Sequence, residues 1–179
     1  MRLSLAIGFA AALLASAAQA ADRKVDDFVG RWIGTGQATE GATNPVATQS
    51  RDSEVVIEKV ADGFKISWTT MSSDLDDGSK AKVKASSLTF KGTKKPGLFV
   101  DVKSGDPLKG KKSTWARITG DALTINQLVV GDDGQWDVTT YERTLSGSDQ
   151  MKLLFTRIKN GAVSRQARLE MQLASRSTR

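Results

Sequence analysis

Two arginines near the tip of the C-terminal hairpin, Arg157 and Arg165, carry the sharpest chemical signal in the sequence. Both fall in phase with Met151, Leu153, Phe155, Ala167 and Leu169, so both point to the side of the sheet that those apolar residues would bury. A buried guanidinium needs a partner, and two of them facing an apolar enclosure suit the acidic head group of an amphipathic ligand. Glu142, in phase with Trp136 and Val138 on the preceding strand, is an alternative internal partner, and emergence of the arginines at a solvated rim is another. Four tryptophans on four strands, Trp32, Trp68, Trp115 and Trp136, offer aromatic surface either to a ligand or to an ordinary core. The candidate ligand site is therefore Trp32, Trp68, Trp136, Phe155, Arg157 and Arg165.

Absences restrict the chemistry further. The 179 residues include no histidine and no cysteine. A Ser-His-Asp triad, a Cys-His pair, an imidazole metal site, a thiolate nucleophile, a zinc ribbon and an iron–sulfur cluster are all excluded. No enzyme is expected, and no cofactor or metal. The segments Asp74 to Gly78 and Asp132-Asp133-Gly134 faintly resemble calcium loops, but neither has EF-hand spacing, and Asp-Gly is the ordinary hairpin dipeptide. The formal net charge is +6, and lysines crowd the middle third. Lys82 and Lys84 share one strand face and, with Lys94 and Lys95, offer a surface for anionic envelope material, or simply a solvated face with edge-protecting lysines.

The elements that hold these residues are strands. Apolar and polar residues alternate through Trp32 to Ala38, Arg51 to Val60, Phe64 to Thr70, Val83 to Lys91, Leu98 to Lys103, Ser113 to Thr119, Ala122 to Val130, Trp136 to Leu145, Met151 to Lys159 and Val163 to Leu173. That pattern predicts an all-β protein of about ten strands. The connectors are short and rich in Gly, Asp and Asn, which forces antiparallel neighbours and leaves no room for parallel crossovers. Closing such a meander removes its edges, so an up-and-down antiparallel β-barrel is expected over residues 21–179. The longest loop is expected at Thr39 to Ser50, overhanging one mouth.

Register in the last hairpin decides which way the arginines point. A two-residue Asn160-Gly161 turn sets Phe155 opposite Gln166 and Leu153 opposite Arg168 and splits the apolar set. A three-residue Lys159-Asn160-Gly161 loop instead pairs Phe155 with Arg165 and Leu153 with Ala167, placing Met151, Leu153, Phe155, Val163, Ala167, Leu169, Met171 and Leu173 inside with Arg157 and Arg165. The second register is the expectation.

The N-terminus reads as a targeting segment. Met1-Arg2 is followed by an apolar run from Leu3 to Ala15 and by Ala18-Gln19-Ala20, which predicts a signal peptide over residues 1–20. The run is short for a bilayer span and no cysteine is available for a lipid anchor, so a periplasmic location is expected. Nucleic acid is not an expected partner there. With 6% aromatics and polar outward positions such as Arg168, Glu170 and Gln172, the strands do not read as an integral membrane barrel.

The run Phe28-Val29-Gly30-Arg31-Trp32-Ile33-Gly34-Thr35-Gly36 resembles the Gly-x-Trp opening strand of the calycin superfamily, which includes lipocalins, fatty-acid-binding proteins and nitrobindin-like proteins. The resemblance implies a small barrel with a tryptophan plugging its floor, an arginine from the last strand, here Arg165 or Arg168, stacked on that ring, and an interior holding a small, mainly apolar ligand. Haem binding of the nitrobindin-like kind requires a histidine and does not carry over. The sequence thus predicts a non-catalytic, exported binding module for a small apolar or amphipathic, anionic ligand. The alternatives are a barrel packed solid with its own side chains and a ligandless protein that uses its basic surface on envelope components.

Overall fold

The computed structural model describes residues 22–41, 47–74 and 81–176. The predicted signal segment, the tip of the 39–50 loop and the 75–80 turn lie outside the described residues. Ten strands run in chain order: β1 Gly30–Glu40, β2 Ala47–Val60, β3 Gly63–Asp74, β4 Lys82–Gly92, β5 Leu98–Asp101, β6 Ser113–Thr119, β7 Ala122–Val130, β8 Trp136–Leu145, β9 Gln150–Lys159 and β10 Ala162–Ser175. Each pairs with its neighbours in sequence, and β1 pairs with β10, closing an up-and-down antiparallel barrel. An even number of strands leaves the last antiparallel to the first, so closure costs no ladder bonds. Among the described residues, helical structure is confined to α1, Val25–Phe28, and a single 3-10 turn at Pro107–Lys109. No helix among the described residues is long and apolar enough to cross a membrane.

One end of the barrel is packed solid. Trp32, Phe28, Ile57, Phe64, Phe90 and Ile125 are fully buried there. Phe64 stacks on Phe90 at 4.8 Å and meets the edge of Phe99 at 5.2 Å. The Trp32 indole donates to the Phe28 carbonyl at 2.9 Å, so α1 and the tryptophan form one floor. Residues 22–28 are strapped across that floor by Gly120 N–H donating to Asp22 at 2.6 Å and by an ion pair between Lys59 and Asp26 at 2.9 Å. The floor tryptophan expected from the opening strand is therefore in place, whereas the arginine expected on its ring is not. Trp32 pairs with Leu173, eight residues along β10 from Arg165, and Arg168 faces solvent.

Glycine makes the closure sterically feasible. The inward face of β1 is Gly30, Trp32, Gly34, Gly36 and Ala38. A Cβ on Gly36 would overlap the Arg168 carbonyl oxygen, and one on Gly34 would overlap that of Glu170. At Gly30 the backbone sits at φ 145°, open only to glycine, against Leu173 and Ser175. The small face lets β1 coil tightly beside β10.

The last hairpin differs from expectation in its turn and in its pairing, which places Ala167, not Arg165, opposite Phe155, but not in its main inward face. Asn160 and Gly161 both have positive φ, 48° and 85°, and Ala162 pairs with Lys159, which is a two-residue hairpin. A bulge at Ser164 then shifts the register so that Arg165 faces Arg157, Ala167 faces Phe155 and Leu169 faces Leu153. One inserted residue restores the phase that the two-residue turn would have broken. Only Val163 changes sides, pairing with Ile158 on the outer face. The predicted long loop is also shorter than expected, because β1 runs to Glu40 and β2 begins at Ala47.

Substituting Gly36 with alanine should cost about 2–3 kcal/mol, seen as a Tm lower by roughly 5–10 °C in thermal denaturation. An unchanged Tm would mean that β1 has room to spare against β10.

Candidate functional site

Beyond the floor the barrel is hollow. A cavity of about 210 Å3 occupies the other half, bounded by inward positions of β2, β3, β4, β8, β9 and β10. An engineered apolar cavity of roughly 150 Å3 admits benzene, so this one takes a single ring with a substituent or a short chain. The β4–β5 ladder spans only Phe90 to Gly92, and above it the wall stops short. Lys84 and Ser86, which line the cavity, are solvent-exposed as a result. The packed-solid alternative does not describe this barrel.

Arg143 is the central residue of this site. It lies on β8 opposite Leu153 and Leu123, with only 1% of its surface exposed. Its Nε and Nη1 are buried without a hydrogen-bond partner. The guanidinium sits 5.5 Å from the Tyr141 ring and 6.0 Å from that of Trp68. Burial pulls its pKa down to about 10, with the Tyr141 hydroxyl opposing the shift, so at neutral pH it remains a cation. Trp68, Tyr141 and Phe155 form a continuous aromatic wall beside it, with ring centroids 5.4 and 5.1 Å apart. Burial raises the pKa of the Tyr141 hydroxyl, with the charges of Arg143, Arg157 and Arg51 opposing the shift.

Nearer the mouth stand three more arginines. Arg157 is clamped by Asp137, with Nε 2.7 Å from the carboxylate, and this pair raises the Arg157 pKa. Arg165 and Arg51 both donate to the side-chain oxygen of Gln49, Arg51 at 3.1 Å. Arg165 also lies 3.4 Å from Glu40. The Nε atoms of Arg51 and Arg165 are buried and unpartnered. Burial, followed by the like charge of Arg165, lowers the Arg51 pKa. Among the described residues that line the cavity none is acidic, while five are cationic: Arg51, Lys84, Arg143, Arg157 and Arg165.

Of the residues singled out from the sequence, Trp68, Phe155, Arg157 and Arg165 converge on this cavity. Trp32 lies in the floor and Trp136 is 38% exposed on the outside of β8, so neither contributes to its lining. The partner of Arg157 is Asp137, not Glu142, because β8 runs with Asp137, Tyr141 and Arg143 inward and Trp136 and Glu142 outward. Arg143 and Arg51 were missed. Their signal was phase: Arg51 falls in step with Val55 and Ile57, and Arg143 with Leu145. The four lysines do not form one surface. Lys82 and Lys84 lie at the mouth end of β4, with Lys84 in the cavity wall, whereas Lys94 and Lys95 lie in the turn beyond the floor end of that strand. Asp132 and Asp133 sit in the β7–β8 turn, where Gln135 N–H donates to Asp133 at 3.0 Å and Gly134 takes φ 76°.

No family model matches the chain, and neither does any curated protein. Among solved structures it is similar to an S-type phycobiliprotein lyase, CPES, from Guillardia theta, with a TM-score of 0.46, 10% identity, and 87% of this chain and 91% of that chain covered. It is also similar to Rv2717c from M. tuberculosis, with a TM-score of 0.46, 13% identity, and 82% and 92% covered. Strand pairing within the chain itself defines the barrel, and its own side chains define the site.

Removing the buried charge should stabilise the empty barrel. Two cation–π contacts contribute about 1–2 kcal/mol each at best, less than the several kcal/mol that stripping water from an unpaired cation costs. Arg143→Met should therefore raise the Tm of the ligand-free protein by roughly 3–9 °C, the equivalent of about 1–3 kcal/mol. A lower Tm would make Arg143 a structural residue.

Proposed function

We propose that the protein is an exported, periplasmic, non-catalytic barrel that binds a small amphipathic anion, with the anionic group on Arg143 and the apolar body against Trp68, Tyr141 and Phe155. The observation that carries this reading is the buried guanidinium of Arg143, with two unpartnered nitrogens, in a cavity whose described lining residues include no carboxylate. Such a group is costly in an empty barrel and is satisfied by a ligand oxygen. Arg157 contributes less to this anchor because Asp137 already neutralises it. The non-catalytic assignment is supported by the lack of histidine and cysteine and by the engagement of Asp137 and Glu40 with arginines. Export is supported by the apolar Leu3 to Ala15 run and the Ala18-Gln19-Ala20 site.

The size of the cavity limits the ligand to one ring or a short chain. Calorimetric titration with octanoate, 4-ethylbenzoate and their methyl esters tests the charge requirement. The acids should bind about 10–100-fold more tightly than the esters, the range expected of charge-assisted hydrogen bonds, and Arg143→Met should abolish the difference. Equal affinity for acid and ester, or no binding by either, would refute the proposal.

A further inference from the structure

The positive groups of the cavity fall into two separate sets, and one monoanion cannot satisfy both. Arg143 lies deep, in the row of Leu153. Arg165 lies in the row of Arg157, four residues higher on β9, which is about 13 Å of strand. Between the two rows stand the Tyr141 and Phe155 rings. The Tyr141 hydroxyl feels the charges of Arg143 below and of Arg157 and Arg51 above.

The upper set is under electrostatic strain of its own. Arg51 and Arg165 both donate to the same neutral oxygen, that of Gln49, and each keeps a buried Nε without a partner. Glu40, 62% exposed, reaches Arg165 only at 3.4 Å. Two like charges drawn to one amide oxygen repel each other, and a carboxylate placed between them would replace repulsion with two charge-assisted bonds. Lys84 adds a further positive charge to the same lining from the solvent-exposed edge of β4.

We infer that Arg51 and Arg165 form a second anion subsite, and that the ligand is a dicarboxylate whose apolar or aromatic middle lies along Trp68, Tyr141 and Phe155. The inference rests on the binding reading above and adds to it the number and placement of the ligand charges. One carboxylate meets Arg143 at the bottom and the other meets Arg51 and Arg165 at the mouth. A fixed separation between the charges then becomes the selective feature: a long chain does not fit the volume, and a monoacid leaves the upper pair unsatisfied.

Titration of the full-length mature protein with suberate, 1,4-phenylenediacetate, their monomethyl esters and octanoate distinguishes these ideas. At least one diacid should bind tenfold or more tightly than its own monoester, and its affinity should fall more steeply with added salt. In the variants Arg51→Gln and Arg165→Gln, that advantage of diacid over monoester should disappear. Binding of monoacids with no preference for either diacid would overturn the second subsite while leaving the anion-binding reading intact. A diacid preference that survives both substitutions would also overturn it. Failure of every probe to bind would count against both the subsite and the reading beneath it. Circular dichroism of each variant, giving the wild-type β spectrum, separates a lost subsite from a lost fold.

Discussion

A guanidinium withdrawn from water without a counter-ion is the constraint around which the upper half of this barrel is arranged. Arg143 is almost completely buried, two of its nitrogens have no partner, and its compensation within the chain is the faces of Trp68 and Tyr141. That compensation falls short of the desolvation cost. The rest of the molecule must offset the difference, and the floor does so: Trp32, Phe28, Phe64 and Phe90 fill the opposite end completely. Each large apolar side chain buried there contributes about 1.5–3 kcal/mol. One end of the barrel thus supplies stability and the other keeps a destabilised group in position, a division common to binding sites in general.

Most of the architecture was legible in the sequence because alternation is a direct readout of a half-buried sheet. All ten strands lie where apolar and polar residues alternate, and the bounds of β6, β7 and β8 coincide with the predicted ones. The hairpin at Asn160-Gly161 shows where legibility ended. The turn dipeptide was the usual two-residue signal, yet the apolar phase required an odd offset, and the bulge that reconciled them sits at Ser164, which has no distinctive local pattern. Ser164 instead takes its place through its hydroxyl on the Arg157 carbonyl at 3.2 Å and its own carbonyl on Gly41 N–H at 3.0 Å, the second a contact that only closure creates.

The site was half legible for a related reason. Arg157, Arg165 and Phe155 were found because β9 and β10 carry enough apolar residues to fix which face is inward. On β8 the cue is inverted: Trp136 and Val138 lie outside and Asp137, Thr139, Tyr141 and Arg143 share the inward phase, because the wall of a polar cavity is the one inner surface that is not apolar. Reading β8 by its hydrophobic residues selects the wrong side and hides Arg143. The aromatic neighbours of that arginine come from β3, β8 and β9, so its environment exists only once the sheet has closed.

The central claim concerns a single side chain, and nitrogen-resolved NMR observes it directly. In the ligand-free protein the Arg143 Nε–H resonance should resemble that of an unbonded guanidinium shielded by aromatic rings. On saturation with an amphipathic carboxylate it should move downfield as the hydrogen bond forms, while the exposed Arg31, already paired with Glu54 at 2.9 Å, stays in place. Binding of the carboxylate with no movement of the Arg143 resonance would contradict the account.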